Sequence, residues 1–139
     1  FMIWYANKKE MFGKRTKKIK SADEIAYEQL TILKNKELPK KGLIKEYYTE
    51  LSDIIRHYLE NRFNFRAPEM TTEEFLESVK RSPELSIEHR GLLQDFLSQC
   101  DMVKFAKYGP TQLEMLDSFK AAERFIDQTR IIPEEVSAK

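Results

Sequence analysis

Three short stretches constrain this chain more than anything else in it: Ser21-Ala22-Asp23-Glu24, Thr71-Thr72-Glu73-Glu74 and Thr111-Gln112-Leu113-Glu114. In each, a hydroxyl residue stands three positions before a glutamate. At a helix start that spacing lets the hydroxyl accept a backbone N–H while the carboxylate reaches back to another. Each stretch also opens a run of apolar residues at three- and four-residue steps, the period of a helix with one buried face. Only four Gly and five Pro occur in 139 residues, too few punctuators for a chain of many short strands.

The helices follow in order. The first starts at Ser21, carries Ala26, Leu30 and Leu33 inward, and breaks at Leu38-Pro39-Lys40-Lys41-Gly42. A long helix over 43–63 presents Ile44, Tyr47, Tyr48, Leu51, Ile54, Ile55, Tyr58 and Leu59, with Asn64 and Pro68 marking its exit. A short one runs from Thr71 through Phe75, Leu76 and Val79 to Ser82-Pro83. Ser86 caps a fourth, with Leu92, Leu93, Phe96, Leu97, Cys100 and Val103 on its apolar face and Gly109-Pro110 as its stop. Thr111 starts the last, with Met115, Leu116, Phe119, Ala122 and Ile126 inward and Ile132-Pro133 at its end. The expected fold is all-α, a compact bundle of about five helices over 21–130, preceded by a basic arm over 1–20 and followed by a polar tail over 131–139.

Charge is uneven along this length. Residues 8–20 hold seven bases, Lys8, Lys9, Lys14, Arg15, Lys17, Lys18 and Lys20, against Glu10 alone, a net +6. The 17 bases and 22 acids that remain leave −5 on residues 21–139. A basic arm on an acidic body points to nucleic acid or to an anionic membrane surface. Ahead of the arm stand Phe1, Trp4 and Tyr5, of the kind found where a spanning helix meets the headgroups. The chain begins with Phe rather than Met, as a piece of a longer protein would, and no stretch of it reaches the roughly 20 apolar residues of a full span. The alternative is that Phe1–Tyr5 fold back onto the bundle.

Motifs with reaction chemistry are sparse. His57, His89 and Cys100 are three scattered candidates where a structural zinc site takes four ligands. Gly13, Gly42, Gly91 and Gly109 build no phosphate-binding loop, and no GxSxG occurs. Neither cofactor nor metal is expected. Asp53 and His57 share a helix face at i, i+4, which either orients an imidazole or is an exposed surface pair. Cys100 lies on an apolar face and reads as a small buried hydrophobe; as the single cysteine it forms no internal disulfide, which suits a reducing compartment.

One stretch departs from the simple pattern, Cys100-Asp101-Met102-Val103-Lys104-Phe105-Ala106-Lys107-Tyr108-Gly109-Pro110. At about 100° per residue, a continuing helix carries Lys104 into the buried arc of Leu93, Phe96, Leu97 and Cys100, and Lys107 to its side. An unpaired ammonium does not belong in a core. Either the helix bends or ends near Asp101, or Lys104 runs its stem over the core, or it pairs with Asp101 or another carboxylate. The functional alternative is a surface where Lys104, Lys107 and Tyr108 meet a partner.

The phrases YYTELSDIIRHYLENRF (47–63), APEMTTEEFL (67–76) and CDMVKFAKYGP (100–110), in order and at compatible spacing, resemble the cytoplasmic C-terminal domain of BatD-like bacterial membrane proteins of the Bat aerotolerance systems. The resemblance covers about residues 22–128. It implies a large extracytoplasmic part, a transmembrane helix, a basic juxtamembrane segment and this helical domain on the cytoplasmic side of the inner membrane. It implies von Willebrand A-domain membrane proteins and a MoxR-type AAA+ ATPase as partners, and no catalytic residues; Asp101, Lys104, Phe105, Lys107 and Tyr108 match the family's most recognisable phrase and so are the partner-binding residues it implies.

The function expected is therefore a non-catalytic adaptor domain, its arm on an anionic membrane surface, with neither nucleic acid nor a small-molecule substrate. Two other classes are weighed against it. Helices 43–63 and 71–80 could form a helix-turn-helix-like pair with a basic arm for a minor groove, but the body is acidic and no predicted helix has a dense Lys/Arg face. An enzyme would need Asp53, His57, Asp101 or Lys104 to meet in one pocket.

Overall fold

All three capping boxes are formed. The computed structural model describes residues 20–64 and 70–131. Phe1, Trp4, Tyr5, Lys8, Lys9, Lys14, Arg15, Lys17 and Lys18 lie outside the described residues, as does the tail beyond Ile131. Helix α1 spans Ala22–Lys36, α2 Ile44–Phe63, α3 Thr72–Lys80, α4 Ile87–Phe105 and α5 Gln112–Thr129, with a single 3-10 turn at Leu38–Lys41 and no strand among the described residues. At Ser21, Thr71 and Thr111 the side-chain oxygen accepts the amide of the residue three on, and that residue's glutamate accepts the cap's own N–H. Ser86 caps α4 with its hydroxyl alone, accepting the His89 amide at 3.0 Å.

The break after α1 is built from two left-handed residues, Glu37 at φ +51° and Gly42 at φ +79°. Between them Leu38 turns inward and is buried. Gly42 suits the second position because a Cβ there would strain the backbone. Asn64, at φ +67°, ends α2 in the same way, asparagine being among the few side chains that adopt this region readily.

Helix α2 is the axis of the bundle. It packs against α1, α4 and α5, while α3 lies on α4. Tyr48, Leu51, Ile55, Tyr58 and Leu59 of α2 are wholly or almost wholly enclosed, with Leu33 from α1, Phe75 from α3, Leu93 and Leu97 from α4, and Ala122 and Ile126 from α5. Burying each large apolar side chain contributes about 1.5–3 kcal/mol.

Polar groups are placed within this core with care. The Tyr48 hydroxyl lies 2.9 Å from Ser118 Oγ, and the Tyr58 hydroxyl 2.8 Å from Thr129 Oγ1, two links from α2 to α5. Arg56 is 7% exposed; its guanidinium donates to the Met70 carbonyl at 2.8 Å and to Thr72 Oγ1 at 2.7 Å, tying α2 to the start of α3. Tyr27 of α1 donates its hydroxyl to the Asp127 carboxylate of α5. Cys100 is buried as expected, and burial pushes its thiol up to about 12.

Two expectations need correction. Leu116, expected inward, is 49% exposed, and Ser118, Phe125 and Thr129 are buried on α5 instead. Leu116 falls about 60° beyond Phe119 on the helix circumference, outside the stripe from Met115 to Thr129. The end of α4 also differs. Its last helical residue is Phe105, and the left-handed residue that follows is Lys107, at φ +57°, rather than Gly109. The amides of Ala106 and Tyr108 both return to the Met102 carbonyl, at 3.1 and 3.3 Å. One further turn would bring Lys107 back over Cys100, seven residues earlier, and push an ammonium toward the core. Stopping at Phe105 leaves Lys107 exposed. The segment between Asn64 and Met70, on which a helix-turn-helix geometry depends, lies outside the described residues.

Candidate functional site

The end of α4 and the start of α5 form a corner at which several large side chains face away from the core. Phe105 is 73% exposed, Met102 50% and Tyr108 41%. A surface Leu is ordinary; two large aromatic rings turned outward within four residues are less so. They border an open cavity of about 500 Å³. Ile44, Val103 and Pro110 supply apolar lining, and Lys45, Lys104 and Lys107 bring ammonium groups to it. Among the described residues no Asp or Glu lines it.

Each piece of the corner is held by local structure. Lys104 is half-buried on the last turn of α4, with its ammonium 5.3 Å from the centroid of the Phe105 ring. Of the routes open to it, the structure takes one with the helix intact through Phe105 and no ion pair to Asp101. A cation at that distance from an exposed ring gains a modest attraction. Tyr108 donates its hydroxyl to both carboxylate oxygens of Glu114, at 2.9 and 2.8 Å. Glu114 also accepts the Thr111 amide at 2.9 Å, so the capping box of α5 anchors the aromatic rim of the cavity. The Thr111 amide, and then the Tyr108 hydroxyl, hold the Glu114 carboxyl below the ordinary glutamate range, while Glu114 raises the Tyr108 phenol.

The structure thus gathers Lys104, Phe105, Lys107 and Tyr108 at one cavity and leaves Asp101 outside its lining. It adds Ile44 and Lys45 from the first turn of α2; the sequence places Ile44 on that helix's apolar face, but ties neither residue to this corner. Glu114 is legible beforehand only as a capping residue.

A second groove of about 390 Å³ runs between α1 and α2. Ile25, Ile32 and Ile54 give it apolar walls, with Asp53 and His57 on one side. His57 Nδ1 lies 2.9 Å from the Asp53 backbone carbonyl. A carbonyl only accepts, so Nδ1 carries the proton, and the contact is with the backbone of Asp53 rather than with its carboxylate. Asp53 and His57 therefore line one groove and Lys104 the other cavity. Among the described residues no group of three or more His, Cys, Asp or Glu is placed to hold a metal ion, and no helix is long and apolar enough to cross a membrane.

Of the basic arm, Lys20 alone is described. Its ammonium bonds both carboxylate oxygens of Glu28, at 2.8 and 3.0 Å, an exposed pair of small energetic weight.

The chain matches no family model, no curated protein and no solved structure.

Proposed function

We propose that this chain is a non-catalytic protein–protein interaction module, carried on the cytoplasmic face of a bacterial inner membrane by the segment ahead of Ser21. The observation that carries the interaction reading is the α4–α5 corner: Phe105 and Tyr108 project from the domain beside a lysine-lined cavity. Exposed aromatics that fill a partner's pocket are the side chains on which binding energy concentrates. The membrane address rests on the charge pattern, a net +6 over residues 8–20 ahead of a body at −5. Lysines and arginines of this kind flank spanning helices on the cytoplasmic side. The resemblance of 47–63, 67–76 and 100–110 to BatD-like proteins supplies the partner classes, von Willebrand A-domain membrane proteins and a MoxR-type ATPase.

The test is direct binding of the full chain to each of these two proteins, purified from the same organism. Phe105→Ala combined with Tyr108→Ala is expected to weaken the interaction about tenfold or more while thermal unfolding shifts little. Failure of both proteins to bind, or binding indifferent to the two substitutions, would remove the reading.

A further inference from the structure

We infer that the corner cavity receives a short acidic peptide segment carrying an apolar side chain. The inference rests on the interaction reading above and specifies the ligand of that surface.

The charges come first. Elsewhere on the domain Lys20, Lys36, Lys40 and Lys80 form exposed ion pairs with Glu28, Glu50, Glu37 and Glu77, while Lys34, Lys41 and Lys120, like the three lysines of the corner, form none among the described residues but line neither the corner cavity nor the α1–α2 groove. Lys45, Lys104 and Lys107, brought to one cavity from two parts of the chain, pair with no carboxylate among the described residues. They form a positive site on a body that is otherwise net negative. A positive site in a negative field both draws an acidic segment and fixes where it lands.

The apolar half of the ligand follows from the lining. Ile44, Val103 and Pro110 offer nothing to a bare carboxylate, while Phe105 and Tyr108 line the same cavity as largely exposed rings. An aliphatic or aromatic side chain between the rings would cover both, with its neighbouring carboxylates reaching the lysines. Lys107 takes the left-handed conformation that closes a helix end, as Glu37 and Asn64 do after α1 and α2. That conformation follows the end of α4 and leaves the side chain at the edge of the cavity.

A peptide fits better than an anionic bilayer. The site is an open concavity of about 500 Å³, large enough to seat one or two side chains of a peptide. A flat charged surface would meet only its rim and would face the acidic remainder of the domain.

The experiment is selection of random dodecapeptides against the immobilised full chain, followed by affinity measurement of a selected peptide. Selected sequences are expected to place Asp or Glu on either side of a Leu, Ile, Phe or Trp. Lys45→Glu combined with Lys107→Glu, both exposed positions, is expected to weaken the peptide about tenfold or more without moving the unfolding transition. Phe105→Ala is expected to weaken it at constant charge. Selection of neutral or basic peptides, or acidic ones indifferent to the charge reversal, overturns the inference. It is equally overturned if no acidic peptide is selected and the reversal instead releases the chain from phosphatidylserine/phosphatidylcholine vesicles. If no peptide is selected but the reversal abolishes binding to the A-domain protein or the ATPase, the interaction reading stands and the acidic-segment inference falls, because the partner then presents a folded face.

Discussion

The Tyr58 hydroxyl gives its proton to Thr129 Oγ1, 2.8 Å away across the α2–α5 interface. The direction follows from counting protons: Thr129 already donates to the Phe125 carbonyl at 2.8 Å and has only one to give. The two partners are therefore not equivalent. Thr129→Val strands a buried donor and is expected to cost about 1–3 kcal/mol, whereas Tyr58→Phe leaves Thr129 still bonded to Phe125 and should cost about 1 kcal/mol or less. The double substitution should cost no more than Thr129→Val alone. Urea unfolding of the four proteins measures this; equal single effects that simply add would disprove the assignment.

Arg56 is expected to be more important for stability than a helical arginine normally is. Its fork reaches the Met70 carbonyl and the Thr72 hydroxyl from an almost fully buried position. Arg56→Ala should destabilise by about 2–4 kcal/mol, and Arg56→Lys should recover little, because a single ammonium cannot reproduce the two-pronged geometry. Amide exchange in α3 should accelerate with it, since this contact joins α3 to α2.

Ser52 points the other way. It is 1% exposed, and its hydroxyl has no hydrogen-bond partner among the described residues. Ser52→Ala deletes an unsatisfied polar atom and puts the best helix former in its place, so the urea midpoint should hold or rise, by up to about 1 kcal/mol in stability. A clear fall in the midpoint would contradict an unsatisfied hydroxyl at Ser52.

Alkali should unfold the domain through its tyrosines. Burial raises the phenols of Tyr48 and Tyr58 and pushes Tyr47 up to about 12. A folded pKa above the unfolded one means that the stabilisation is complete below the unfolded tyrosine value of about 10 and is lost as pH climbs through the folded value. Unfolding free energy should fall steadily across that window, and tyrosinate absorbance should appear together with the loss of helix. Tyr47→Phe should flatten the slope. Ionisation of these phenols well before unfolding would contradict the burial shown.

The starts of α1, α3 and α5 are legible from four residues each, because a capping box is a local bargain between a hydroxyl, a glutamate and two backbone amides. The end of α4 is not. Gly109-Pro110 offers the usual stop signal, but the chain turns at Lys107, where continuing would have driven a charge toward the core. Leu116 shows the same limit: it is apolar and close to the inward stripe, and only the position of α2 against α5 decides that Ser118 and Thr129 are enclosed while it is not.

The corner divides along the same line. The placement of Lys104 and Lys107 against the helical period already marks 100–110 as unusual, and the phrase itself contains seven of the residues that line the cavity, Val103, Lys104, Phe105, Lys107, Tyr108, Gly109 and Pro110. Lys45 and Ile44 could not be anticipated, since they arrive from about sixty residues away.

By itself the sequence determined the number and type of elements, most of their inward faces, the site of the break at Leu38–Gly42 and the separation of a basic arm from an acidic body. These depend on interactions within one turn of helix, or on a count of charges. The tertiary structure alone decided which hydroxyls meet, with Tyr48 and Ser118 seventy residues apart, and Tyr58 and Thr129 seventy-one. It also decided that Arg56 is buried and that three lysines with no ion pair among the described residues share one cavity. Those outcomes depend on how rigid helices settle against one another, and the apolar period that drives the packing carries no record of which polar atoms it will bring into reach.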